Sequence, residues 1–189
     1  MTNSKRYERQ YFLQALQALN RFYSLRDLEK LLGVPFQNLW KYVNMLSIPE
    51  EKTVEKSLQK MKEANLIEKA LQKALEKVKG NVWRLPRNVG FLKLYAFIAK
   101  ELLGDVNIEY VLGMSEYSSP LATALALSLD SNVCIVKSHA SYEDFTAVTW
   151  YRSGLRRGIR FLALPRECMQ EGKRVVLTEL LLDDYERLK

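Results

Sequence analysis

Polar side chains at helical spacing between residues 24 and 45 could contact a nucleic acid. In the pattern from 36 to 45, Leu39 and Val43 occupy the apolar stripe of a helix. The positions away from that stripe carry amides and one lysine, namely Gln37, Asn38, Lys41 and Asn44. Amides suit base edges and lysine suits phosphates, so these residues are candidate contacts to the major groove of double-stranded DNA. Arg26 and Lys30, on the preceding helical pattern, are predicted to approach the DNA backbone.

Two alternatives stay open for this segment. The same polar residues would also occur on the solvated face of a helical bundle that binds no DNA. Trp40, which lies between Gln37 and Asn44 in the sequence, either faces the groove or packs against another helix.

The elements that would position these side chains are two short helices joined by a tight turn. Ser24 can cap a helix that carries Leu25, Leu28 and Leu32, Gly33 suits a left-handed turn, and Pro35 can open the second helix. The pattern resembles the helix-turn-helix of repressor-like phage and bacterial regulators, in which a short helix ending in leucine–glycine precedes the recognition helix. That class usually has a small residue where Glu29 stands here, and a long side chain there is expected to crowd the two helices.

A second set of polar residues follows apolar runs of strand type in the C-terminal half. The segments IEYVLGMSEYSSPLATALALSL (108–129), NVCIVKSHAS (132–141) and GIRFLALPRECMQEGKRVVLTELLLDD (158–184) resemble the central portion of type I phosphoribosyltransferases, in the order that family uses. The resemblance implies a ligand-binding edge for phosphoribosyl pyrophosphate or a nucleotide as effector. The residues at the corresponding positions are Ser115, Ser118, Ser119, Lys137, Glu179, Asp183 and Asp184.

Several of these positions depart from the family's pattern. Glu116 puts a negative charge where a diphosphate would lie, and Leu180 replaces the second acidic residue after the strand. The phosphate loop at 183–187 is bulky and acidic and has no glycine, which would repel a phosphate. We therefore expect a degenerate motif with no catalytic residues and no cofactor. Ligand sensing is a more plausible function for it than catalysis.

Composition and charge restrict the classes of protein further. The 189 residues carry 29 Lys+Arg and 22 Asp+Glu, a net charge of +7, and residues 1–80 hold 15 of the basic and 9 of the acidic side chains. The positive excess is therefore almost wholly N-terminal, where it suits a polyanion. No secretory signal or membrane span is predicted, so we expect a cytoplasmic protein. Cys134, Cys168 and His139 show no metal-binding spacing, so both cysteines are predicted to be ordinary thiols and no metal is expected.

The periodicity predicts an α/β chain with an all-α N-terminal domain. Residues 5–79 look helical, and the stripes of 50–79 break their register at 64–66, which indicates two helices or one bent helix. The helices of 50–79 need an apolar partner, either the body of the protein or a second copy, and homodimerisation is the preferred interpretation. Beyond 80 we predict a helix over 91–103, a helix over 120–129, and strands at 108–112, 133–136, 159–164 and 175–177 in a parallel sheet.

These observations favour two domains, a helix-turn-helix domain at 1–80 and a phosphoribosyltransferase-like domain at 81–189. The chain ends where that family continues through further elements, so the sheet is expected to be incomplete at its C-terminus. Together the two halves resemble archaeal and bacterial transcription regulators of that composite type. The resemblance implies a DNA-binding homodimer that senses an effector. An active phosphoribosyltransferase for a pyrimidine or purine base is the alternative, and a purely structural interaction protein is a third class.

Overall fold

A computed structural model describes residues 3–137, 147–153 and 158–181 of the chain. The chain divides into two compact units, Met1–Phe97 and Ile98–Lys189. This division lies within a helix, 17 residues beyond the domain boundary predicted between residues 80 and 81. Within the described part of the chain, no helix is long and apolar enough to cross a membrane.

The first unit is helical, as the apolar periodicity predicts. Its helices are α1 (Asn3–Leu19), α2 (Leu25–Leu32), α3 (Phe36–Val43), α4 (Glu51–Glu63) and α5 (Leu66–Lys77), followed by a 3₁₀ turn (Val82–Arg87) and α6 (Val89–Leu103), which extends into the second unit. The register break at 64–66 separates α4 from α5, because Asn65 takes a left-handed conformation with φ 48°. Of the two alternatives, two helices or one bent helix, the structure has two helices. Glu50 occupies the N-cap of α4 and its side chain makes no capping hydrogen bond.

The core of the first unit lies around α1, which contacts α3, α4 and α5. Its largest fully buried side chains include Phe12, Leu16, Leu19, Leu28, Leu39, Val54, Leu66 and Leu94. Val54 and Met61 of α4 and Leu66, Ala70 and Ala74 of α5 are buried, and both helices contact α1. The body of the protein, one of the two partners left open for these helices, therefore covers their inward faces.

The second unit contains a three-stranded parallel sheet with a helix packed on it, which confirms the α/β class. Its elements are β1 (Tyr110–Gly113), α7 (Ser119–Leu129), β2 (Asn132–Ile135), β3 (Ala147–Ser153), β4 (Gly158–Leu164) and β5 (Val175–Thr178). The strand order is β2-β1-β5, so β1 is central, with Leu112 opposite Cys134 and Leu177. A Cβ at Gly113 would lie 2.9 Å from Ile135 Cδ1 and 3.3 Å from Ala122 Cβ, so glycine permits the close approach of α7.

One predicted strand lies outside the parallel sheet. The run at 159–164 forms β4, which pairs antiparallel with β3, a strand that the sequence interpretation missed. A single bridge joins Ala163 of β4 to Lys137, just beyond β2, through two backbone hydrogen bonds of 3.0 Å. The apolar run specifies a buried strand but not the direction of its partner, which explains the error.

The prediction that the two cysteines are unpaired thiols is also wrong. Cys134 on β2 and Cys168, in the 3₁₀ turn after β4 (Arg166–Met169), form a disulfide with a Cα–Cα distance of 6.2 Å. Both side chains belong to a buried cluster with Leu112, Met114 and Val136. They are 34 residues apart in the sequence, and only the packing of the hairpin against the end of β2 brings them together.

Candidate nucleic-acid interface and ligand-binding edge

The start of α2 is held by a reciprocal cap. The Ser24 hydroxyl accepts a hydrogen bond from the Asp27 backbone N–H at 3.1 Å and donates to Asp27 Oδ2 at 2.7 Å, while the Ser24 backbone N–H donates to the same Oδ2 at 3.2 Å. The predicted Ser24 cap is confirmed. The Ser24 hydroxyl, followed by its backbone N–H, lowers the pKa of the Asp27 carboxyl below its usual value. The hydrogen bonds of the cap are therefore stronger when the Asp27 carboxyl is ionised.

Asp27→Asn is expected to lower stability at neutral pH and to lose this effect in acid. Because the folded-state pKa is depressed, the carboxylate stabilises the fold above its unfolded pKa of about 4 and stops doing so as pH falls through the folded value. Urea unfolding of the wild type and of Asp27→Asn between neutral pH and roughly pH 3 tests this. The stability gap should close in acid. A gap that stays constant over that range would contradict the cap's dependence on charge.

The turn between α2 and α3 is fixed by Gly33 and by a lysine from another helix. Gly33 has φ 70°, and its N–H donates to Glu29 O at 2.8 Å. Lys60 of α4 donates from Nζ to Leu32 O at 3.0 Å, which places a cation at the C-terminal end of α2. The sequence predicts the glycine turn but gives no sign of Lys60, because that contact spans 28 residues.

Glu29 has a different role from the crowding expected of it. Its carboxylate oxygen Oε1 accepts a hydrogen bond of 2.9 Å from the Phe36 backbone N–H, at the first residue of α3. Pro35, which occupies the N-cap of α3, provides no side-chain cap. The long side chain of Glu29 therefore bridges the turn and satisfies an N–H that the proline leaves unpaired.

Glu29→Ala is expected to destabilise the chain by about 1 kcal/mol, since it removes this helix cap. Glu29→Gln keeps an acceptor oxygen and should retain most of that stability. Thermal unfolding of the two variants provides the measurement. Equal stability of Glu29→Ala and the wild type would mean that the cap contributes nothing.

The predicted DNA contacts all lie on the surface of α2 and α3. Arg26, Lys30, Gln37, Asn38, Lys41 and Asn44 are exposed. Gln37, Lys41 and Asn44 follow one another at steps of four and three residues and share one outward arc of α3. Asn44 also donates from its side-chain amide to Trp40 O at 2.8 Å, where it caps the end of the helix.

The inward face of α3 differs slightly from the predicted stripe. Leu39 is fully buried as predicted, whereas Tyr42 is buried and Val43 only half-buried. Trp40 is 47% exposed at the surface of its own unit.

The second candidate site lies at the carboxyl ends of β1 and β5. Ser115 Oγ donates to Glu179 Oε1 at 2.8 Å, although the two residues are 64 positions apart in the sequence. Ser118 is fully buried and bonds Ser115 reciprocally, since its Oγ donates to Ser115 O at 2.7 Å and accepts from Ser115 N at 2.8 Å. The structure thus brings three of the predicted ligand-binding residues together.

Four backbone amides at this edge are already hydrogen-bonded within the protein. Met114 N donates to Thr178 O at 3.0 Å, Ser118 N donates to Ser115 O at 3.1 Å, and Ser119 N donates to Glu116 O. Together with Ser115 N, four amides that could cradle an anion have internal partners. A diphosphate bound to these amides would have to break the loop's own hydrogen bonds.

The other predicted ligand-binding residues are not part of the hydrogen-bonded group of Ser115, Ser118 and Glu179. Ser119 Oγ lies 3.5 Å from Ser115 O, at the start of α7. Lys137 is exposed beyond β2, where its backbone forms the bridge to Ala163. Asp183 and Asp184 lie outside the described residues.

Lys173 and Arg174, which precede β5, contact a residue at the start of β1. Lys173 Nζ forms an ion pair of 3.0 Å with Glu109 Oε1, and the Arg174 backbone N–H donates to Glu109 Oε2 at 3.1 Å. The Lys173 hydrogen bond, followed by that of Arg174, lowers the pKa of Glu109. The pair aligns the first residues of β5 with those of β1.

Within the described ranges, no group of three or more His, Cys, Asp or Glu side chains could hold a metal ion. No protein-family model matches the chain, and no curated protein sequence matches it significantly.

Proposed function

We propose that the chain is a DNA-binding transcription regulator in which α2, its turn and α3 act as a helix-turn-helix. The observation that carries the proposal is the outward arc of α3, where Gln37, Lys41 and Asn44 follow a turn held by Gly33. In such a motif the second helix enters the major groove, where amides contact base edges. Arg26 and Lys30, one turn apart on α2, would then contact phosphates.

The charge distribution around the motif supports this proposal. Asp27 and Glu29 are the acidic residues of α2, and both carboxylates accept hydrogen bonds from backbone N–H groups at helix starts. These caps draw the carboxylates toward the turns. The exposed cations Arg26, Lys30 and Lys41 are then available to a polyanion.

For the second unit we propose a degenerate phosphoribosyltransferase-like domain that mediates dimerisation and senses an effector. The parallel order β2-β1-β5, with Ser115 and Glu179 at one edge, supports the comparison with that fold. The internally bonded loop amides favour a ligand other than a diphosphate. Val175 and Leu177 of β5 are exposed, which would suit cover by a second subunit of a cytoplasmic homodimer.

Selection from a pool of random-sequence duplex DNA by the full chain tests the proposal. A regulator should enrich a defined motif, and Gln37→Ala should change the enriched bases while Glu55→Ala, an exposed change on α4, should not. A pool that shows no enrichment after repeated rounds would argue against sequence-specific recognition.

The alternative function is nucleotide synthesis by an active phosphoribosyltransferase. Its supporting observation is the approach of Ser115 to Glu179 at the sheet edge where that family binds its substrate. A nucleotide-forming assay with orotate, uracil and purine bases in the presence of magnesium discriminates the two. Turnover that is lost in Glu179→Gln would replace the regulator proposal for this unit.

A further inference from the structure

Two aromatic side chains lie on the outward surface of α3 beside the polar ones. Phe36 is 41% exposed and Trp40 is 47% exposed, and they stand four residues apart on the same side of the helix. Gln37 lies three residues before Trp40, and Lys41 lies four residues after Gln37. One outward surface therefore combines two aromatic rings, an amide and a cation.

This combination fits a DNA major groove better than a second copy of the protein. The centres of protein–protein interfaces are depleted in lysine, whereas Lys41 and Gln37 lie within one helical turn of Trp40. In the major groove, the apolar group on a base edge is the thymine 5-methyl, and glutamine pairs with the neighbouring adenine edge. The rings and the amide thus suit the two bases of one A·T pair or of adjacent pairs.

We propose that Trp40 and Phe36 contact thymine methyl groups, which makes α3 a reader of A·T-containing sites. The inference rests on the proposed DNA-binding function and specifies its partner. Phe36 is held at the start of α3 by the Glu29 cap on its backbone N–H, and the Asn44 amide bonds the carbonyl of Trp40. The backbone of both aromatic residues is therefore held by side-chain hydrogen bonds, Phe36 at the start of α3 and Trp40 one turn further along.

The test compares duplexes that differ only in the methyl group. Affinity of the full chain is measured for alternating adenine–thymine and adenine–uracil duplexes of about 30 base pairs, roughly three helical turns. Loss of each contacted methyl should weaken binding about fourfold, in line with the burial of one methyl-sized group. Trp40→Ala should bring the thymine-to-uracil affinity ratio close to one, and Phe36→Ala should lower it in part.

The control variant is Ile48→Ser, which changes an apolar side chain that is 75% exposed but lies beyond α3. It should leave the thymine-to-uracil ratio unchanged, whatever its effect on overall affinity. Circular dichroism shows whether each variant keeps its helices, and Trp40→Gln serves as a second variant if Trp40→Ala unfolds.

Three results would overturn the proposal. Equal, salt-dependent affinity for both duplexes would reject methyl reading while leaving DNA binding intact. No binding to either duplex, or to genomic DNA, would reject the DNA-binding function as well. If Trp40→Ala turns a dimer into a monomer in sedimentation and keeps the thymine-to-uracil ratio of the wild type, the aromatic surface belongs to a second copy.

Discussion

Replacing Arg26, Lys30 and Lys41 together with alanine is expected to weaken DNA binding by about 500-fold at roughly 0.1 M salt. All three side chains are exposed, on the two helices that the proposed motif presents to DNA. Each phosphate contact releases a counterion, so affinity falls as salt rises. Each lost cation should make the slope of log affinity against log salt less negative by about one. Filter binding of the variant and the wild type over a series of salt concentrations measures both quantities.

The matched control removes the same amount of charge from α4. Lys52, Lys56 and Lys62 are exposed there, and their triple alanine variant has the same net charge as the first variant. It should lose much less affinity, because α4 lies outside the proposed DNA-binding motif. If the two triple variants lose the same affinity, binding follows total charge and the proposed motif has no special part in it.

Leu39→Ala is expected to cost about 2–5 kcal/mol of stability, because it leaves a cavity in the core of the first unit. Leu39 is fully buried on α3, and α3 packs against α1 and α2. Leu39→Met nearly conserves the volume and should cost less than about 1.5 kcal/mol. Asn38→Ala, its exposed neighbour, should change stability by no more than about 0.5 kcal/mol. Urea unfolding monitored by circular dichroism measures all three.

A small effect of Leu39→Ala, similar to that of Asn38→Ala, would contradict the packing of α3. Leu39→Ala and Lys41→Ala together distinguish an effect on folding from an effect on DNA binding. Leu39 lies on the face of α3 opposite the proposed contacts, so any loss of DNA affinity should accompany the loss of folded protein. Lys41→Ala should instead reduce affinity without unfolding.

Local chemistry explains which features could be predicted from the sequence. The Ser24 cap and the Gly33 turn depend on residues close together in the chain, and each has a sequence signature. The Glu29 cap spans seven residues and the Lys60 contact 28, so neither follows from a propensity or a periodicity. Glu29 departs from the helix-turn-helix pattern, and its role in capping α3 could not be predicted from that pattern.

In the second unit, too, contacts between residues far apart in the sequence could not be predicted. Strand runs predict β1, β2 and β5. Ser115 and Glu179 follow two of these strands, and Ser115 Oγ lies 2.8 Å from Glu179 Oε1. The β3–β4 hairpin and the Cys134–Cys168 pair depend on how distant segments pack. The internal bonding of the loop amides also requires coordinates, because Ser118 serves as both donor and acceptor.

The most direct test of the regulator proposal is the affinity of the full chain for genomic DNA fragments at two salt concentrations. We expect binding that weakens steeply as salt rises, by about 3.5-fold per phosphate contact when the concentration increases from roughly 50 to 200 mM. The variant that lacks Arg26, Lys30 and Lys41 should show a weaker dependence of affinity on salt. The absence of salt-dependent binding to any fragment would contradict DNA binding by this protein.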